Sequence, residues 1–285
     1  SRLFVQGSLA FTGNLNLYMG QLAAGGTLIA EDVFLPGKWE QVMARERANG
    51  IYLIPSKLLM LPRVFKGVNA NIRTIISGSQ SLGRKDAEVL KKIFPNTEIT
   101  LYYGASELNY ITYVKSADMT EERNLIGKPF PGVRVFIQDD EMYVDNAFHV
   151  ENITVPYSLR DSGRMDARGN FYFLGRTDDI VGVRGRKVSM MKIENALEEV
   201  AGITEAAVVL LPKEKDADMP AEIVSAFVTV EGTDVPENLR QQLKEKLADF
   251  EIPKRVIVLE ALPKNTSGKV DKARLKKMWM EQEPQ

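Results

Sequence analysis

The sequence predicts an α/β protein: a mostly parallel βαβ sheet plus a small β-rich region, followed by a separate small α+β domain. Three observations predict it. From Trp39 to Glu107, short apolar runs alternate with helical patterns, the signature of right-handed βαβ units. From Gly127 to Phe173 the texture changes to short alternating runs broken by Gly and Pro. Near Asp178 a β-α-β-β-α-β order begins and continues to the end of the chain.

The elements follow in order. Lys38–Ala48 reads as a helix stopped by Asn49-Gly50. Ile51–Ile54 is a short buried strand ended by Pro55, and Ser56 is placed to cap a helix carrying Leu58, Leu59 and Leu61. Arg73–Ile76 is a strand leading into Ser77-Gly78-Ser79. Lys85–Phe94 carries Ala87, Val89, Leu90, Ile93 and Phe94 at helical spacing. Glu98–Tyr103 is a strand that turns at Gly104. Val133–Gln138, Met142–Val144 and Phe171–Leu174 are strands, with turns at Asp139-Asp140 and Arg168-Gly169-Asn170. Ile180–Val183, Ala206–Leu211, Ile223–Val230 and Arg255–Leu259 are the strands of the last domain. Its helices are Ser189–Val200, a segment carrying Leu239, Leu243, Leu247 and Phe250, and Lys272–Met280.

Composition removes several function classes. Apolar residues are 44% of the 285 and charged residues 26%, an ordinary globular balance. Lys plus Arg is 37 against 38 Asp plus Glu, so the net charge is −1. That argues against nucleic acid or an anionic membrane as the main partner, since either needs a basic surface. Cysteine is absent, which removes disulfides, thiolate metal sites and a thiol nucleophile. His149 is the only histidine, too few for a multi-histidine metal site. No apolar run reaches the roughly 18 residues of a membrane span, and no signal-peptide pattern opens the chain. The expected setting is cytoplasmic.

In parallel sheets, ligands bind beyond the carboxyl ends of the strands. Two such ends carry chemistry. Tyr102-Tyr103-Gly104-Ala105-Ser106-Glu107 offers an aromatic that can stack on a base, a glycine that permits close approach, a hydroxyl for phosphate and a carboxylate for Mg²⁺. Ser77-Gly78-Ser79-Gln80 leaves room for a planar ring. Each also reads as an ordinary turn. A third segment holds Asp161 and then Gly175-Arg176-Thr177-Asp178-Asp179. An aspartate there can accept two hydrogen bonds from a ribose diol and an arginine can reach ribose or phosphate, though an Asp–Arg surface pair is the simpler reading. A fourth, Pro263-Lys264-Asn265-Thr266-Ser267-Gly268-Lys269, puts a lysine on a glycine loop; alone it is also a solvated basic turn.

Together, and in this order, the segments resemble the adenylate-forming superfamily of acyl-CoA synthetases, peptide-synthetase adenylation domains and luciferases. Its Tyr-Gly-x-Thr-Glu appears as Tyr103 to Glu107, its Gly-Arg-x-Asp-Asp as Gly175 to Asp179, and its Pro-(Arg/Lys)-x-x-(Ser/Thr)-Gly-Lys as Pro263 to Lys269. Gly127-Lys128-Pro129-Phe130-Pro131-Gly132 is similar to its Gly-x-Pro-x-Pro-Gly turn, and Arg184 to Val188 to the segment after its hinge.

The resemblance implies activation of a carboxylic acid by ATP to an acyl-adenylate, then transfer to a thiol, often of coenzyme A. Tyr103 would stack on adenine, with Gly78 and Ser79 on the other side of the ring and the Gly104 backbone close by. Ser106 would contact the α-phosphate and Glu107 would ligate Mg²⁺. Asp161 would hold the ribose hydroxyls beside Arg176. Lys269 would stabilise the first transition state. The resemblance also implies residues 1–177 as the remainder of a large nucleotide- and acid-binding domain. Residues 178–285 would be a small mobile domain that swings about Asp178 and brings Gly185 to a thiol channel.

Departures from the family pattern set further expectations. Leu159-Arg160-Asp161 stands where the family has Thr-Gly-Asp, and Gly182 where many members have a lysine. The family's phosphate loop would lie upstream of Ser1, so the chain is expected to act as a carboxyl-terminal portion with impaired catalysis. Loading of a carrier protein and non-catalytic nucleotide binding stay open beside coenzyme A ligation. The expected acid pocket (Phe11, Thr12, Leu15, the Ser77–Gln80 loop and 108–111) is neutral and mainly apolar. It favours a fatty or aryl acid over an amino or dicarboxylic acid.

Overall fold

The computed structural model describes residues 1–183, 185–213, 222–265 and 269–281, without the side chain of residue 178. The chain divides into two compact units, Ser1–Phe173 and Leu174–Gln285.

The first unit opens with β1 (Arg2–Val5), α1 (Thr12–Ala23), β2 (Thr27–Ala30), α2 (Pro36–Arg45) and β3 (Gly50–Tyr52). Two single turns follow, α3 (Pro55–Leu58) and α4 (Leu61–Val64), then β4 (Thr74–Gly78), α5 (Arg84–Ile93) and β5 (Glu98–Ala105). These five strands are parallel, in the order β2-β1-β3-β4-β5. The chain therefore steps outward from β1 in both directions, and the β1/β3 junction is a topological switch point, where ligands gather in open α/β sheets.

Six more strands extend the sheet: β6 (Asn109–Lys115), β7 (Leu125–Pro129), β8 (Arg134–Gln138), β9 (Glu141–Asp145), β10 (Tyr157–Met165) and β11 (Phe171–Arg176). Their order beyond β5 is β6-β7-β11-β10-β9-β8. Here β6 runs antiparallel to β5, and β7 antiparallel to both β6 and β11.

Alternation along the parallel strands builds two cores. Phe4, Ile51, Ile75 and Ile99 point to the face covered by Trp39 and Met43 of α2 and by Leu90 of α5. Their neighbours Leu3, Val5, Tyr52 and Tyr102 point to the opposite face, with Tyr18 of α1. Covering both faces explains why these strands read as short apolar runs.

The helix expected after Ser56 is split in two. Pro62 lacks an N–H and opens a new turn at α4. Pro55 occupies the first turn of α3, so the cap position falls on Ile54, with no side-chain cap bond. The expected turn at Gly104 is also corrected: β5 continues to Ala105 and folds back directly into β6, with Ala105 paired to Asn109.

In the second unit, β12 (Ile180–Val183) and β13 (Arg186–Ser189) form a hairpin. Helix α6 (Met190–Glu198) starts where the Ser189 hydroxyl accepts the Lys192 N–H at 3.3 Å. Strands β14 (Ile203–Pro212) and β15 (Glu222–Val230) are antiparallel, α7 spans Leu239–Lys244, and β16 (Arg255–Val258) lies parallel to β15. The last helix is α8 (Lys272–Glu281). One face of this sheet packs Val208 and Ala226 against Ile193, Leu197 and Leu243. The other packs Ala207 and Phe227 against Leu275 and Trp279. Among the described residues no helix is long and apolar enough to cross a membrane.

Candidate nucleotide and acid site

Strands β1, β3, β4 and β5 share a carboxyl edge, and Gly78, Ser79 and the Tyr103–Glu107 segment lie along it. Gly78 is the last residue of β4, and Ser79 follows it with φ at +70°. A Cβ at position 78 would lie 2.5 Å from Cζ of Tyr102. The glycine therefore makes room for a protein ring, Tyr102, on its Cβ side. Tyr102 in turn shares a 2.9 Å hydrogen bond with the Tyr52 hydroxyl. Burial raises both phenols above their ordinary range, so both stay protonated.

The Tyr103–Glu107 segment is the tip of the β5–β6 hairpin. A Cβ on Gly104 would fall 2.3 Å from the Asn109 carbonyl oxygen, so this glycine is demanded by the hairpin's own closure. Ser106 is exposed and Glu107 half-buried. The tip is braced from outside. The Val150 N–H donates to the Glu107 carbonyl at 3.0 Å, and the Asn146 amide donates to the Leu108 carbonyl at 2.6 Å.

Tyr103 points across the sheet. Its hydroxyl donates to the Asp161 carboxylate, and its ring centroid lies 5.9 Å from that of Phe173. Asp161 is 8% exposed, although Arg160 beside it is exposed. The pairing of β10 with β9 shifts register between Ser158 and Ser162, and Arg160 within that shift has φ +58°. Such an irregularity re-aims side chains, and here it turns Asp161 inward.

The second unit holds the remaining predicted residues. Arg176 ends β11 and is exposed. Gly175 before it has φ +125°, and a Cβ there would meet the Ser189 hydroxyl at 3.2 Å. The Asp178 backbone lies in a 3₁₀ turn, Thr177–Asp179, and its side chain is outside the described residues. Gly185 is exposed in the β12–β13 turn with φ +78°. Lys269 is exposed beside the Lys264–Val270 bridge, and the Asn265 N–H donates to the Lys269 carbonyl at 2.8 Å. Thr266, Ser267 and Gly268 lie outside the described residues. Within the first unit, then, Tyr103 bonds Asp161, Ser106 and Glu107 share the Tyr103 hairpin, and Gly78 ends the adjacent strand with Ser79 just beyond it.

Among the described residues no cluster of three His, Asp or Glu could hold a metal by itself. A phosphate-bound Mg²⁺ needs only one protein carboxylate, with phosphates and waters supplying the other oxygens. Glu107 is a carboxylate of that kind.

One residue at this edge escaped the sequence reading. The Lys57 ammonium donates to the Gln6 carbonyl at 3.3 Å and to the Gln6 side-chain oxygen, and lies 5.7 Å from the centroid of the Phe34 ring. Next to it the Ser56 N–H donates to Gln80 Oε1 at 2.9 Å, tying α3 to the loop after β4. Burial holds the Lys57 amine below its ordinary value. Its signal in the sequence was a lone cation in Ile54-Pro55-Ser56-Lys57-Leu58-Leu59, directly after a strand end.

The chain is 27% identical over 304 residues to the uncharacterized acyl–CoA ligase YhfT of Bacillus subtilis, covering 100% of this chain and 61% of that protein. It is 30% identical over 237 residues to bacitracin synthase 1 of Bacillus licheniformis, covering 73% of this chain and 4% of that one. Its fold matches the crystal structure of the ATP-bound RpMatB-BxBclM chimera B1 with a TM-score of 0.83 at 24% identity, over 99% of this chain and 61% of the chimera. The chain thus spans about three fifths of the ligase relative's length. The family model for the AMP-binding enzyme C-terminal domain matches residues 192–269. The model for the AMP-binding enzyme itself matches residues 1–147, more than half of the chain, and the chain belongs to that family.

Proposed function

We propose that this chain is part of an ATP-dependent acid–thiol ligase that activates a small carboxylic acid as its acyl-adenylate and passes the acyl group to coenzyme A. The observation that carries this reading is the bond from Tyr103 to Asp161. It ties the aromatic suited to a base to the carboxylate suited to a ribose diol, beside the hairpin bearing Ser106 and Glu107.

In the first half-reaction a carboxylate oxygen of the acid attacks the α-phosphorus of ATP and pyrophosphate leaves. Tyr103 and the Gly78–Ser79 turn orient the adenine, with the Gly104 backbone beside it, and Asp161 and Arg176 fix the ribose. The Ser106 hydroxyl donates to an α-phosphate oxygen. Glu107 would hold Mg²⁺, which would supply neutralisation of the phosphate charge. Lys269 meets the charge that develops between the carboxylate and the α-phosphate. In the second half-reaction the thiol of coenzyme A attacks the acyl carbon and AMP leaves. A lysine on the phosphate and a pantetheine arm cannot occupy one place, so the unit bearing Lys269 moves about Asp178 and Gly185 comes to line the thiol's path.

Loading of a carrier protein is the second reading, favoured by the 30% identity to bacitracin synthase 1. Incubating the protein with ATP, Mg²⁺ and a panel of acids, with mass-spectrometric detection of acyl-AMP, tests the first step. Adding coenzyme A or a phosphopantetheinylated carrier separates the two acceptors. Acyl-AMP is expected at an impaired rate, lowered further on the order of 100-fold in Lys269→Ala. Absence of any acyl-AMP across the panel would contradict the proposal.

A further inference from the structure

The expected acid pocket contained no cation, yet the carboxyl edge of the sheet has one. Lys57 sits at the β1/β3 switch point, where Gln6 leaves β1 and α3 follows β3. Both acceptors it uses belong to Gln6. An ammonium has three donors, and among the described residues no carboxylate pairs with Lys57. A half-buried cation without an anion is unfavourable, and an apolar residue between Ser56 and Leu58 would pack there without that cost. The Gln80 side chain joins this corner to the loop carrying Gly78 and Ser79, so Lys57 stands on the acid side of the proposed adenosine site.

We propose that Lys57, with Gln6, binds a second carboxylate on the acid substrate, so that the preferred substrates are dicarboxylic acids. This rests on the acyl-adenylate reading above. The reactive carboxylate points to the α-phosphate, and the distal one accepts the unspent donor of Lys57. Gln6 holds the ammonium in place, and Phe34 shields one side of it.

The test uses acyl-sulfamoyl-adenosine analogues, which mimic the adenylate and need no turnover. Succinyl, glutaryl and adipoyl analogues are titrated calorimetrically into the full chain against their butanoyl, pentanoyl and hexanoyl counterparts. At least one diacid analogue is expected to bind roughly tenfold or more tightly than its partner, the effect of one hydrogen bond to a charged group. Lys57→Met, unbranched and of similar length, should erase that preference, and Lys57→Arg should keep most of it. If both series bind alike in the wild-type chain, the Lys57 proposal is overturned while the adenylate reading stands. If Lys57→Met weakens ATP relative to AMP and leaves the analogue ratio unchanged, Lys57 serves the triphosphate and the proposal is likewise overturned. If no analogue binds, the adenylate reading fails and this one with it.

Discussion

The Tyr103 hydroxyl donates to the Asp161 carboxylate although the two residues lie 58 positions apart in the chain. The bond spans from β5 to β10 and places a half-buried aromatic against a carboxylate that is 8% exposed. Under the proposed function, Tyr103 would position Asp161 as well as supply a ring for the base. Tyr103→Phe keeps the ring and removes the donor. Hydrogen bonds to charged groups contribute about 1.5–3 kcal/mol, so AMP affinity should fall roughly tenfold or more by calorimetry, with the stacking surface intact.

Gly78→Ala should destabilise the first unit. The added methyl would lie 2.5 Å from the Tyr102 ring, which is fixed by its bond to Tyr52. Overpacking of this kind costs about 1–3 kcal/mol, read as a lower midpoint in urea denaturation. Ser79→Gly, at a left-handed position, should be tolerated.

Arg160 adopts φ +58° where the adenylate-forming pattern carries glycine. The left-handed conformation costs a residue with a Cβ about 1–2 kcal/mol. Arg160→Gly should thus be more stable than Arg160→Ala by about 1 kcal/mol. Comparing these two variants cancels the lost guanidinium contacts. Equal denaturation midpoints would show that the backbone there carries no strain.

Glu194 gives a pH signature in the second unit. It pairs with Lys272 at 2.8 Å and accepts the Val208 N–H at 2.7 Å, yet burial raises its pKa above the ordinary 4.5. The folded state then holds a proton that the unfolded state has released, so the stability this group contributes is complete below 4.5 and is lost as pH rises through the raised value. Relative to Glu194→Gln, the wild-type chain should lose protection of the α6 amides on going from pH 4.5 to neutral. Hydrogen exchange of both proteins at each pH measures it.

Much of this was legible in the sequence, for identifiable reasons. The βαβ alternation shows because strands covered on both faces are apolar throughout and the helices between them are amphipathic. The motifs around Tyr103, Asp161, Arg176 and Lys269 show because their order and spacing along the chain follow a family pattern. What was illegible depends on tertiary partners. Gly78 and Gly104 were read for a ligand or a turn, but each is also required by the protein's own Tyr102 ring or Asn109 carbonyl. Strands β6 and β7 went unread because their pairing with β5 and β11 is a sheet-level choice. Lys57 was passed over because its meaning comes from Gln6 and Gln80, at distant positions in the chain.

The most direct test of the central claim, that Asp161 reads the ribose of an adenylate, is a calorimetric titration of the chain and its Asp161→Asn variant with AMP and with 2′,3′-dideoxy-AMP. Wild-type chain should prefer AMP roughly tenfold or more, the effect expected of a carboxylate accepting from the diol, and the variant should bind the two nucleotides alike. Equal binding of both nucleotides by the wild-type chain, or no binding of AMP, would contradict the account.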